Sequence, residues 1–337
     1  MNLKKFKLGV GPMSSEIIDL CLEYSKLYEY PLMIIASRNQ VDATSGYVCT
    51  TSELVNKIKN NIHYDLNRIL ICRDHCGPYF SDLDQQLTLE DAVKRCIETI
   101  NSDIDSNFEL IHIDVSRIPI DQQESITHKL IEHALSRNPN ILFEYGSEDN
   151  TGEHLDQTLK NIDRQIQIVS KYTNNLRYIV SQTGSLTKHT QVGNFSVEQN
   201  SIIANKISNA GFLFKEHNAD YLSIDDAKLR VAANVDALNI APQLGTIQSS
   251  VIADLGKEFS TEYTEFYNYV LASNYWKKWV TKDIVDDDIK FLVSAHYCFN
   301  SKQCQSLLEK IQKEKPFHET LKSRVFSSLD NYRLGFN

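Results

Sequence analysis

The sequence predicts an α/β fold, a closed (β/α)8 barrel of the TIM type carrying a C-terminal helical extension. Three observations predict it. Eight short blocks rich in Ile, Leu, Val and Phe recur along the 337-residue chain. Longer segments with apolar residues at i, i+3, i+4 and i+7 separate them, several opening on a Ser, Thr or Asp helix cap. The eighth block ends near residue 242, which suits a barrel of about 250 residues.

The blocks are KLGVG (7–11), PLMIIAS (31–37), RILICR (68–73), ELIHIDV (109–115), NILFEYG (140–146), RYIVSQT (177–183), FLFKEH (212–217) and DALNIAP (236–242). Near-continuous apolar runs belong to strands covered on both faces, and therefore to a parallel sheet. An open doubly wound sheet would place a Gly-rich turn after the first strand, and GVGPMSS fits GxGxxG poorly. Beyond the eighth block, LGTIQSSVIADLGKEF reads as the closing helix. The expected division is a barrel over 1–271 and a helical extension packed on it over 272–337. Within the extension, the aromatic-basic stretch Tyr275-Trp276-Lys277-Lys278-Trp279 reads either as a subunit contact or as part of a core helix.

Composition excludes several classes. With 42% hydrophobic and 23% charged residues the chain is that of a globular protein. No apolar run reaches the ~18–20 residues of a membrane span, and the basic start lacks the apolar core of a secretion signal. Lys and Arg number 35 against 44 Asp and Glu, a net charge of −9 without a basic block, which argues against nucleic acid. Seven cysteines without a CxxC pair read as reduced thiols, and the expected compartment is the cytoplasm.

In such a barrel, chemistry sits at the C-terminal ends of the strands. His75, His189 and His217 follow the third, sixth and seventh blocks. Neutral imidazoles from separate strand ends suit zinc or another divalent metal, and three of them leave a position open for a substrate oxygen. His189 lies six residues beyond its block, and Glu148 is the alternative ligand. Asp74, beside His75, is placed to move a proton. Asp114 is a second catalytic carboxylate, and Glu144 is a substrate-binding one. The alternative for both is structural pairing with Arg73 or Lys215. Asn39, Gln40 and Asn239 are expected to position substrate. Gly245 and Thr246 open the last barrel helix and Gly184 follows the sixth block, so their amides are expected to hold phosphate. His112, His128, His133, His154, His296 and His318 read as non-catalytic.

Several stretches carry a resemblance to a known family. They are IIASRNQVDATSGYVCTTSEL (34–54), RILICRDHCGPYF (68–80), LIHIDVS (110–116), FEYGSEDNTGEH (143–154), KEHNADY (215–221) and LNIAPQLGT (238–246). Together they resemble the non-catalytic subunit family of class II tagatose-bisphosphate aldolases. Asn39-Gln40 with Gly46-Tyr47, and Asp74-His75-x-Gly77-Pro78, are the most specific pieces. The resemblance implies a (β/α)8 barrel in which Asp74 transfers a proton, His75 binds metal, and His189 and His217 complete the ligands. It implies a metal-dependent aldolase acting on a sugar phosphate or related ketose. Two alternatives share the barrel: a metal-dependent sugar epimerase, and a non-catalytic accessory subunit that stabilises a partner aldolase. Expected partners are thus a small sugar phosphate and either a second copy of the chain or an aldolase subunit.

Overall fold

A computed structural model describes residues 3–147, 155–181, 183, 194–280 and 286–336. Eight parallel strands close into one barrel in sequence order. They are β1 (Leu8–Val10), β2 (Leu32–Ser37), β3 (Ile69–Cys76), β4 (Leu110–Ile113), β5 (Leu142–Ser147), β6 (Leu176–Ser181), β7 (Leu213–Glu216) and β8 (Ala237–Ile240). Each falls on one of the eight apolar blocks. A short pair, Val41–Asp42 with Cys49–Thr50, lies after β2.

Eight helices follow the strands in turn: α1 (Ser15–Leu27), α2 (Thr51–Asn60), α3 (Leu89–Asp105), α4 (Ile120–Arg137), α5 (Leu155–Val169), α6 (Val197–Asn209), α7 (Ile224–Ala232) and α8 (Pro242–Gly256). Five of them, α1, α2, α3, α6 and α7, start on a Ser or Thr whose side chain takes up a free N-terminal amide. Ser14 accepts from the Ile17 amide, and Thr50 and Glu53 form a capping box at α2.

Strand periodicity sorts the barrel interior into layers. The lowest layers are apolar, with Met33, Ile35, Leu70, Cys72, Leu110, Tyr178 and Ala237 packed together over the plug made by Leu3 and Phe6. Burying each large apolar side chain there contributes about 1.5–3 kcal/mol. Above them, Glu144 and Lys215 form an ion pair 2.8 Å long with both side chains fully buried. The upper layer holds histidine, aspartate and asparagine.

α9 (Ser260–Ser273) runs across residue 272, where the extension is expected to begin, and the extension continues with a 3-10 turn at Tyr275–Lys278, α10 (Asp287–Ser294), a second 3-10 turn at Ala295–Cys298, α11 (Lys302–Glu314) and α12 (Phe317–Gly335). It fastens three barrel loops. Asn300 Nδ2 donates to the Tyr47 and Val48 carbonyls, both at 2.9 Å. Lys278 pairs with Asp82 at 2.9 Å. The buried Tyr332 hydroxyl donates to the Ala219 carbonyl at 2.8 Å, beyond β7. No helix among the described residues is long and apolar enough to cross a membrane.

Candidate active site

Asp74 and His75 are neighbours on β3, and in a regular strand they would point to opposite faces. The β3–β4 register shifts between Arg73 and Cys76, and His75 takes a left-handed backbone with φ of 46°. This irregularity turns both side chains toward the barrel mouth, a use of strand bulges common beside active sites. Gly77 permits the turn that follows: a Cβ there would lie 1.5 Å from the Asp114 carbonyl oxygen. Arg73 points away from the mouth and pairs with Asp103 at 2.6 Å, not with Asp114.

Asp74, His75, His112 and His217 converge at the mouth. One donor atom from each lies within 4.8 Å of the others. Each imidazole is held by a second group. His75 Nδ1 lies 2.8 Å from Asp114 Oδ2, leaving Nε2 on the Asp74 side at 3.8 Å. His112 Nε2 donates to the Gly146 carbonyl at 3.2 Å, which turns Nδ1 toward Asp74 at 3.4 Å. Asn239 Nδ2 sits 3.0 Å from His217 Nε2, with Nδ1 facing Asp74 at 3.6 Å. Partners of this kind fix ring orientation and tautomer in metal sites.

The electrostatics follow from the grouping. Burial alone would raise Asp74, but His75, His217 and His112 outweigh it and hold the carboxyl well below the usual carboxylate range. Burial likewise works against Asp114, and the hydrogen bond and charge of His75 overcome it and lower it. For His112, burial lowers the imidazole while Asp74 with Asp114 and Glu144 raises it, and the net direction is up. Three imidazoles around an ionised carboxylate form a donor set that fits a divalent ion such as zinc.

A cavity of about 210 Å³ opens above the cluster, lined by Asp74, His75, His217, Asn239, Asn39 and Gln40 among others. Asn39 and Gln40 also hold the rim together. Asn39 Oδ1 accepts from the Asp82 amide at 2.8 Å, and Gln40 Oε1 accepts from the Ser37 amide at 2.9 Å. Beneath them the buried Arg38 reaches Asp84 at 2.5 Å and the Gly77 carbonyl at 3.1 Å, tying the loops after β2 and β3.

Other expected site residues lie elsewhere. Glu144 sits deeper, paired with Lys215 and away from the cavity lining, because its strand position points into the middle layer. Gly245 and Thr246 do not line the cavity. The α8 N-terminus is already occupied: Asp220 Oδ1 accepts from the Ala241 and Gln243 amides at 3.1 and 2.9 Å. Thr246 Oγ1 lies 3.1 Å from the Tyr221 hydroxyl. His189, Glu148 and Gly184 lie outside the described residues.

Two features correct the reading of the sequence. His112 enters the cluster although it lies within a strand; its i, i+2 relation to Asp114 was the available sign that both share an inner face. Trp279, His296 and Tyr297 of the extension also line the cavity. The Tyr275–Trp279 stretch is not a core helix: Tyr275–Lys278 form a 3-10 turn with no buried residue, and Trp279 after it lines the mouth.

Comparison with known proteins agrees with the sequence resemblance. Residues 9–142 match the family described as D-tagatose-1,6-bisphosphate aldolase subunit GatZ/KbaZ-like. The D-tagatose-1,6-bisphosphate aldolase subunit GatZ of Escherichia coli O17:K52:H18 is 28% identical over 104 residues, 30% of this chain. The subunit GatZ of Klebsiella oxytoca is 27% identical over 103 residues. Each match spans 24% of the relative's own length. Among solved structures, a probable tagatose 6 phosphate kinase from Sinorhizobium meliloti superposes with a TM-score of 0.82 at 14% identity. It covers 97% of this chain and 99% of its own. The fructose-bisphosphate aldolase of Campylobacter jejuni gives a TM-score of 0.57 at 12% identity, covering 99% of this chain and 91% of its own. The fold is therefore an aldolase-like barrel, and the family resemblance stands on residues 9–142.

Proposed function

We propose, from the family match over residues 9–142 and the histidine cluster, that the chain is a metal-dependent aldolase-type enzyme acting on a ketose. The observation that carries this reading is the convergence of His75, His112 and His217 on Asp74 at the end of the barrel where such folds do chemistry. The three imidazoles would hold a divalent metal, zinc being the first choice. Bound there, such an ion would supply Lewis-acid polarisation of a substrate carbonyl.

The remaining work falls to the chain's own groups. Asp74, kept ionised by its imidazole neighbours, accepts the proton of the hydroxyl whose carbon becomes a carbonyl as the C–C bond breaks. It returns that proton in the condensation direction. Asp114 positions His75, and Asn239 positions His217. Asn39 and Gln40 meet the substrate from the rim. A cytoplasmic setting goes with this activity.

The curated relatives are named as subunits, which favours a second reading: an accessory chain that supports a partner aldolase. Product analysis of the metal-loaded protein on a panel of ketoses and ketose phosphates separates the readings. Two fragments, with turnover lowered about 10²–10⁴-fold in Asp74→Asn, are the expected outcome. An isomer of unchanged mass would instead mean epimerisation. No turnover alone, with stimulation of an added aldolase subunit, would establish the accessory role.

A further inference from the structure

The roof of the mouth comes from the extension, and one of its groups is left without a partner. His296 is 1% exposed, yet neither Nδ1 nor Nε2 has a hydrogen-bond partner among the described residues. It lines the same cavity as Asp74 and His217. Its ring packs 4.2 Å from Tyr297, 6.0 Å from Tyr47 and 6.3 Å from Trp279, centroid to centroid. Gly245 makes room beneath it: a Cβ there would lie 2.9 Å from the His296 Cβ and Cγ. Buried polar atoms left unpaired are unfavourable and uncommon in native folds, so a ligand that pairs them gains by doing so.

We propose that His296, with Trp279 beside it, forms a subsite for an uncharged, hydroxyl-bearing segment of the ligand, so that the extension sets specificity at the mouth. That the ligand is a substrate sugar rests on the proposed function; the subsite itself rests on the cavity.

The chemistry of the pair selects a hydroxyl over a phosphate. Burial, aided by the Lys278 charge, pushes the His296 imidazole down to about 3. At neutral pH it therefore offers one N–H donor and one lone-pair acceptor. Neighbouring hydroxyls can satisfy both, because each can donate and accept. The dianion of a phosphate monoester only accepts, and would leave one ring nitrogen unpaired. The carboxylates of Asp74 and Asp220 also line the cavity and oppose an anion. The indole of Trp279 offers an apolar face to the C–H side of a polyol, with its N–H engaged by the Tyr297 hydroxyl at 3.2 Å.

The chain has two tryptophans, so Trp276→Phe leaves Trp279 as the reporter. Its fluorescence is titrated with sorbitol and, separately, with the monoester methyl phosphate. Cobalt(II) absorption of the same samples reports the histidine cluster. The expected result is a saturable response to sorbitol and none to methyl phosphate. His296→Ala should weaken sorbitol binding about tenfold, and His296→Gln, which keeps a donor and an acceptor, should lose less. The cobalt spectrum should be unchanged in both variants, which also certifies the fold. Methyl phosphate binding as tight as sorbitol, or sorbitol binding indifferent to His296→Ala, would overturn the subsite even where cobalt binds. A sorbitol response lost in His296→Ala, in a protein that takes up no cobalt, would uphold the subsite and refute the metalloenzyme reading.

Discussion

Leu110 and His112 stand two residues apart on β4 and face the same barrel interior, and Leu70 and Asp74 do so four apart on β3. The lower positions join an apolar layer sealed by Phe6; the upper ones meet in a cluster of imidazoles and a carboxylate. One set of strands thus supplies stability at its N-terminal ends and reactive groups at its C-terminal ends. Between them lies the buried Glu144–Lys215 pair. A fold that places apolar residues low and polar ones high can vary its chemistry without disturbing the packing that closes it.

The sharpest way to break this contrast is at the boundary layer. Lys215→Met leaves Glu144 as an uncompensated buried charge, and we expect a loss of about 3–5 kcal/mol in chemical denaturation. Lys215→Met combined with Glu144→Leu should recover most of it; no recovery would mean the pair does more than neutralise itself. Leu110→Ala, in the base layer, should cost about 2–5 kcal/mol through the cavity it opens. Metal affinity in Leu110→Ala should stay as in the wild type, measured by competition with a chromogenic chelator. Asp114→Asn should do the reverse. It loosens His75 and should weaken metal binding about 10–100-fold with a smaller change in stability.

A further expected effect is one of pH. The unfolded chain protonates a histidine near 6.5, whereas burial keeps His296 neutral down to about 3. As pH falls below 6.5 the unfolded state binds the extra proton, so stability drops by about 1.4 kcal/mol per pH unit from this group. That contribution is fully present above pH 6.5. His296→Gln should therefore flatten the stability profile between pH 6.5 and 4.5, and parallel profiles for the two proteins would contradict the buried neutral state.

The barrel was legible because its signal is local and repeated. Eight apolar blocks separated by amphipathic segments leave few arrangements, and each strand lies on a block. Asp74, His75, His217 and Asn239 were legible for the same reason: they stand at the ends of those blocks. His112 was not, since a strand-borne histidine looks like core until alternation with Leu110 and Asp114 is followed inward. Near Gly245 and Thr246, where amides were expected to hold phosphate, the helix start carries a contact no local pattern announces. Asp220, from the preceding loop, already takes the amides at the start of α8. Trp279 and His296 were hidden by distance along the chain; their place follows from anchors such as Lys278–Asp82 and Asn300–Tyr47.

The enzyme activity proposed for the mouth depends on three imidazoles, one of them inside a strand, forming a metal centre. Metal content of the purified wild type should be compared with His75→Ala, His112→Ala, His217→Ala and, as a control away from the mouth, His133→Ala. Close to one tightly held divalent ion per chain is expected, retained in His133→Ala and lost in the other three. A wild type that takes up no zinc or manganese, or a His112→Ala variant that keeps its full complement, would contradict it.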